Sequence, residues 1–445
     1  NKSIKIKPTA QAYLNYYYYY NLLRDFKSAL NAIDKAIELD PENAFMYEYR
    51  AQLKRENNDT DGAIKDFESA LAIYPYEKDD YTEIANLYYK KLGKEKVYEY
   101  FEEKIQQFSS EKDLYLELLT MKAYYEKEYG DYDLCLVDCD RVINLSQFTP
   151  YEKRNIYPIK STCLYRKNDV ENALKSLDIA IELGQSLVSN YMDKGKILED
   201  QKKYDEALDC YKKAEEISLK EDGYLPNYLC TTIGYCNERL NKPFEALKYY
   251  NNAIKKGLDS WYPYINKIGT LITLGKYKFA LKWAERAEKL FKNELDNGFY
   301  GNKGLVCYHL KDYKNAVKNF KKYPQWGSGQ ILTAYIDFLQ GNSKSALKKL
   351  EKFKPTTPAE IDYKLRFMAV IYYKNQKYDK ALECLILTKD KNCFYYYIKS
   401  CIFNKLGDDL NAEENLNFAK STLEENETIE YMIKIIEDDC QVSFD

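Results

Sequence analysis

The feature that most constrains this chain is a spacing. A small residue, a large apolar residue four positions later and a second small residue seven positions later recur along almost its whole length. The clearest copies are Ala29-Ile33-Ala36, Ala63-Phe67-Ala70, Ala173-Leu177-Ala180, Ala207-Tyr211-Ala214 and Ala246-Tyr250-Ala253, and Ala280-Ala284-Ala287 and Ala412-Leu416-Ala419 continue the series. Weaker copies begin at Val97, Cys135, Ala316, Ala346 and Ala381, with Lys104, Val142, Tyr323, Phe353 and Thr388 in the third place. Offsets of four and seven lie on one face of an α-helix. The intervals between first positions are 34, 34, 38, 38, 34, 39, 34, 36, 30, 35 and 31 residues. One such unit is too short to bury its own apolar stripe, so the units must stack and share their stability.

Upstream of most copies runs a second apolar stretch with its own small residue, among them Ala51, Ala85, Ala123, Gly195, Gly234, Gly304, Ala334 and Ala369. The repeating unit is therefore a helix pair. Turns such as Leu92-Gly93-Lys94, Gly130-Asp131-Tyr132 and Gly275-Lys276-Tyr277 join the two helices with the residue types a tight reversal needs. Pro41 and Pro75 follow second helices and stop them. Small residues are required where the two helices of a pair approach, while their large neighbours fill the space between pairs.

Tyr47-Glu48-Tyr49-Arg50-Ala51, the run from Thr60 to Leu71 and then Pro75 resemble the tetratricopeptide repeat family, as do Tyr191, Gly195, Tyr204, Ala207, Tyr211 and Ala214. The resemblance implies an all-α fold, an α-α superhelical solenoid of about twelve tetratricopeptide-like helix pairs over residues 10–425. It also implies that first helices line a concave groove that holds protein or peptide ligands. Residues 1–9 form an N-terminal extension in this reading, and 426–445 a C-terminal capping helix and tail. Tyr17 and Ile268 depart from the family by standing where a small residue is preferred, and the spacings of 38 and 39 call for longer helices or loops.

Counting along the first helices places Asp193, Thr232, Asn266 and Asn302 at equivalent groove positions, with Lys196 and Tyr235 one turn further on. A row of amides can bond an extended peptide backbone in both directions, since each carries donors and an acceptor; ordinary solvated polar residues are the alternative. Within the family, a clamp of lysines, asparagines and an arginine captures acidic chaperone tails. Its positions relative to Asn266 hold Thr231 and Tyr235, and relative to Asn302 hold Ile265 and Gly269, so that mode is disfavoured. The run Tyr16 to Tyr20 circles its helix, so some of these rings face solvent and could support self-association at the N-terminal end.

The 67 basic and 70 acidic residues are mixed along the chain, which argues against a nucleic-acid partner. No apolar run approaches the ~20 residues that cross a bilayer, and the eleven cysteines sit mostly at small apolar helix positions, as reduced core thiols do. Together these point to a cytoplasmic protein without a membrane partner. The chain starts at Asn1 rather than Met, so a leader or an output domain could precede it, and a peptide-sensing regulatory receptor is the second functional reading. His309 is the only histidine, and no nucleophile with a base, phosphate loop or metal cluster stands clear of the repeat pattern. A scaffold without catalysis, cofactor or metal is expected.

Overall fold

The computed structural model describes residues 9–184, 187–221, 223–256 and 260–424. These form 24 helices and divide into two compact units, Asn1–Gln201 and Lys202–Asp445. The first unit contains α1 (Ala10–Leu22), α2 (Phe26–Leu39), α3 (Ala44–Glu56), α4 (Thr60–Ile73), α5 (Lys78–Leu92), α6 (Lys94–Gln107), α7 (Lys112–Glu128), α8 (Tyr132–Ile143), α9 (Ile156–Arg166), α10 (Val170–Glu182) and α11 (Leu187–Asp200). The second contains α12 (Tyr204–Glu221), α13 (Asn227–Arg239), α14 (Pro243–Lys256), α15 (Tyr262–Thr273), α16 (Tyr277–Leu290), α17 (Asn297–His309), α18 (Tyr313–Phe320), α19 (Gly327–Leu339), α20 (Ser343–Lys352), α21 (Pro358–Lys374), α22 (Tyr378–Leu387), α23 (Cys393–Leu406) and α24 (Asp409–Glu424). Odd-numbered helices are the first members of sequence pairs and even-numbered helices the second. Within each unit a helix packs chiefly on its pair mate and on the helices of the adjoining pair.

Each of the twelve turns from a first to a second helix carries one residue of positive φ: Arg24, Asn58, Gly93, Gly130, Asn168, Lys202, Asn241, Gly275, Lys311, Gly341, Gln376 and Gly407. The turn at Asn58 shows why. Its left-handed conformation lets the Asp59 N–H donate back to the Lys54 carbonyl at 2.9 Å, closing α3. Asp59 Oδ1 then accepts from the Gly62 N–H at 3.0 Å, capping α4. One left-handed residue followed by one Asp both ends and starts a helix, and Arg24-Asp25, Asn168-Asp169 and Lys311-Asp312 repeat the device.

The small positions of the motif are buried as the spacing required: Ala29, Ala63, Ala173, Ala246, Ala280 and Ala316 have no exposed surface. Tyr17 and Ile268 are buried too, so the large side chains are accommodated at those small-residue sites. The long intervals resolve into 17 residues of α7, 18 residues of α12 and the connection between Ile143 and Ile156. The capping helix expected over 426–437 lies outside the described residues. No helix among the described residues is long and apolar enough to cross a membrane.

A second pattern accompanies the first. The residue directly before the small one in a first helix is often basic, and it reaches an acid on a flanking second helix. Arg50 binds Asp34 at 2.7 Å and Asp66 at 2.8 Å, Lys122 binds Asp138 at 2.7 Å, Lys303 binds Glu288 at 2.5 Å, and Lys194 binds Asp178. At Lys267 the partner is instead an amide, Asn251 Oδ1 at 2.5 Å, and the ammonium lies 3.2 Å from the centre of the Trp283 ring. Burial and the nearby Arg286 guanidinium push the Lys267 pKa down to about 8.

Candidate peptide-binding grooves

Four successive first helices of the first unit converge on a groove of ≈ 600 Å³. Lys78 and Thr82 come from α5, Glu117, Thr120, Met121, Tyr124, Tyr125 and Lys127 from α7, Pro158, Ile159 and Thr162 from α9, and Ser189, Asn190 and Asp193 from α11, with Asn155 at the head of α9. Second helices contribute nothing to it, because their small residues are turned into the pair. Its walls are amphipathic: Tyr124 is 44% exposed beside Met121, Pro158 and Ile159. Thr120 and Thr162 donate their hydroxyls to the Leu116 and Pro158 carbonyls, at 2.8 and 3.0 Å, which commits their protons and leaves hydroxyl oxygens that can accept.

Charge is placed at both ends of this groove. Lys78 pairs with Glu117 at 2.9 Å across α5 and α7. Lys127 lies over the Tyr124 ring at 4.4 Å and lowers the pKa of Asp193, yet burial in the concavity outweighs it and raises that carboxyl above its usual value. The Asp193 side chain is nevertheless exposed. A carboxylate raised in this way and open to the groove would gain from an incoming cation or N–H donor.

The second unit has its own groove of ≈ 610 Å³, between α13, α14 and α15. It is walled by Tyr224, Tyr228 and Tyr262, which are 57%, 58% and 59% exposed. Trp261 stacks on Tyr262 at 4.0 Å and holds that ring in place. Thr231 and Thr232 complete the lining, and both bond back to their own helix, on the Asn227 and Tyr228 carbonyls. The 47 tyrosines of the chain thus include rings on open, concave surface.

The six residues singled out in the sequence fall on both units. Asp193 lines the first groove and Lys196 lies one turn on, where Glu199 and Asp200 hold it at 2.8 and 3.0 Å. Thr232 lines the second groove, with Tyr235 half-buried one turn along α13. Asn266 and Asn302 are half-buried on α15 and α17, and a methyl group on Gly269 would lie 3.9 Å from Asn302 Nδ2. Met121 and Ile159 were missed although the same count reaches them: each stands two residues before a small one, Ala123 and Ser161, as Asp193 and Thr232 do before Gly195 and Gly234. Looking only for polar residues hid them. His309, expected at the surface or between repeats, stacks on Tyr277 of the preceding pair at 4.3 Å.

Paired helices without sheet among the described residues, small residues at the pair contact, and grooves walled mainly by first helices define an α-helical repeat protein. Family models described as Tetratricopeptide repeat match residues 23–78, 188–221 and 298–323. The chain thus carries tetratricopeptide repeats in these three stretches. It is 28% identical over 251 residues to the Hsp70-Hsp90 organizing protein of Triticum aestivum, covering 54% of this chain and 39% of that one. It is 26% identical over 254 residues to Hsp70-Hsp90 organizing protein 2 of Arabidopsis thaliana, covering 54% and 40%. The chain thus spans about two fifths of the length of these relatives. Among solved structures it is similar to the APC/C hetero-tetramer Cut9-Hcn1, at TM-score 0.44 and 10% identity over 94% of both chains. Yeast Tom70 gives a TM-score of 0.36 and 16% identity over 92% of this chain and 94% of that one.

Proposed function

We propose that this chain is a protein- or peptide-binding scaffold that holds an extended segment of its partner against its first helices. The observation that carries the reading is the amphipathic groove drawn from α5, α7, α9 and α11, with Met121, Tyr124 and Ile159 beside Asp193. An apolar side chain of the partner would seat on Met121 and Ile159, and a basic one would meet Asp193. Lys196 is a further candidate on the first unit, and Thr232, Tyr235, Asn266 and Asn302 are candidates for a separate contact set on the second unit. The relatives' names speak of organising Hsp70 and Hsp90, but Thr231, Tyr235, Ile265 and Gly269 do not supply the clamp that takes acidic chaperone tails. A different ligand chemistry is therefore favoured.

The test is a cross-linking pull-down from cell lysate with three proteins: the unaltered chain, a Met121→Glu, Asp193→Lys variant, and an Asn266→Ala, Asn302→Ala variant. A partner retained by the unaltered chain and lost by the first variant supports the groove of the first unit. Loss only in the second moves the site to α15 and α17, and equal recovery by all three sinks the groove reading. Self-association belongs to the same proposal. Tyr18, Tyr19, Leu22 and Leu23 of the N-terminal end are exposed, at 41%, 58%, 85% and 60%. Light scattering that stays monomeric at high concentration would exclude it.

A further inference from the structure

The mixed charge of the chain as a whole conceals one local imbalance. Residues 311–354 hold ten lysines and only three acids, Asp312, Asp337 and Glu351, a net +7 in a chain of net −3. Folding draws part of this charge around one cleft of ≈ 690 Å³, lined from the end of α18, from α19 and from the end of α20. Phe320, Leu350 and Phe353 form its floor, and Lys321, Lys349, Lys352 and Lys354 its rim. Lys349 is engaged by Asp337 at 2.6 Å, and Asp337 also accepts from Ser345. Lys321, Lys352 and Lys354 are exposed, and none has a carboxylate partner among the described residues. Glu360, which approaches from the α21 side, is occupied by the backbone and hydroxyl of Thr356.

We propose that this cleft is a second docking site, which takes an acidic segment of a partner protein carrying an apolar side chain. Lysines near the ends of α18 and α20 favour the helix dipoles, but that role does not require three unpaired ammonium groups around one apolar floor. Carboxylates fit better than a nucleic acid. The lining contains no arginine for bidentate phosphate binding, Phe320 is buried, and Phe353 is half-buried, so no ring is open for a base to stack on. The site draws on the ends of two second helices as well as on α19, shares no residue with either groove, and is independent of the groove reading.

The experiment is fluorescence anisotropy on the full chain with three labelled probes: a peptide of alternating glutamate and leucine, the same peptide with lysine for glutamate, and a single-stranded RNA of matched charge. The acidic peptide should bind, weaken as salt rises, and weaken about tenfold or more in the triple variant Lys321→Glu, Lys352→Glu, Lys354→Glu. Those three side chains are exposed, so circular dichroism should be unchanged. The Met121→Glu, Asp193→Lys variant should bind the peptide as the unaltered chain does, which separates the cleft from the groove. Absence of binding, equal binding by the triple variant, loss in the groove variant, or tighter binding of RNA would each overturn the proposal.

Discussion

Gly234 of α13 and Tyr250 of α14 lie so close that a methyl group in place of the glycine hydrogen would sit 2.5 Å from the Cε1 atom of the ring. Gly304 and Phe320 repeat the relationship at 2.4 Å. In both pairs the small residue and the ring are sixteen positions apart, the separation that also relates Ala51 to Phe67. Gly234→Ala should therefore destabilise the second unit by about 1 to 3 kcal/mol through overpacking, against the ~1 kcal/mol that alanine gains in helix propensity. Gly269→Ala, with nothing nearer than Asn302 at 3.9 Å, should be neutral or stabilising. Urea unfolding of both variants checks the opposite signs, and equal effects would refute the packing account.

Lys311 adopts φ 62° in the turn between α17 and α18, where glycine would sit without strain. Lys311→Gly should stabilise by up to about 1 kcal/mol, the left-handed penalty of a side chain less the entropy that glycine adds to the unfolded chain. A fall in melting temperature would contradict this.

His309 is the only histidine, so its ring protons titrate without overlap in an NMR spectrum. Burial against Tyr277 pushes its pKa down to about 4, below the ordinary 6.5. The unfolded chain then binds more protons than the folded one between those two values, and stability should rise as pH climbs from about 4 to 6.5. His309→Phe should flatten that slope. A midpoint near 6.5 in the folded protein would show that the stack is open to water.

Asn251→Asp should give Lys267 the carboxylate that Arg50, Lys122, Lys194 and Lys303 already have. The variant should gain about 1 kcal/mol at neutral pH and raise the Lys267 pKa, readable from the pH dependence of its reductive methylation. No change in either would mean that the Trp283 ring already satisfies the ammonium.

The period of the repeat, its small positions and the number of helix pairs among the described residues were legible because each is a local pattern written twelve times. The ion pairs were legible in principle, since a basic residue precedes the small one at Arg50, Lys122, Lys194 and Lys303, but their acids lie about sixteen residues away on neighbouring helices. Only the packing shows which acid answers which base. Left-handed turns were anticipated at Gly93, Gly130 and Gly275 by residue type, whereas nothing in Arg24, Lys202 or Gln376 announces one. The lysine cleft escaped notice because Lys321 and Lys352 are distant in sequence, and averaging charge along the chain erased what α18 and α20 bring together.

Because each helix finds its partners in its own pair and the next, the first pairs have nearly everything they need before the last ones exist. A ribosome translating this message would release finished pairs one after another, each helping to seat the one behind it. A premature stop within the second unit should therefore leave an upstream remnant that is still folded, a shorter protein where other architectures would leave debris.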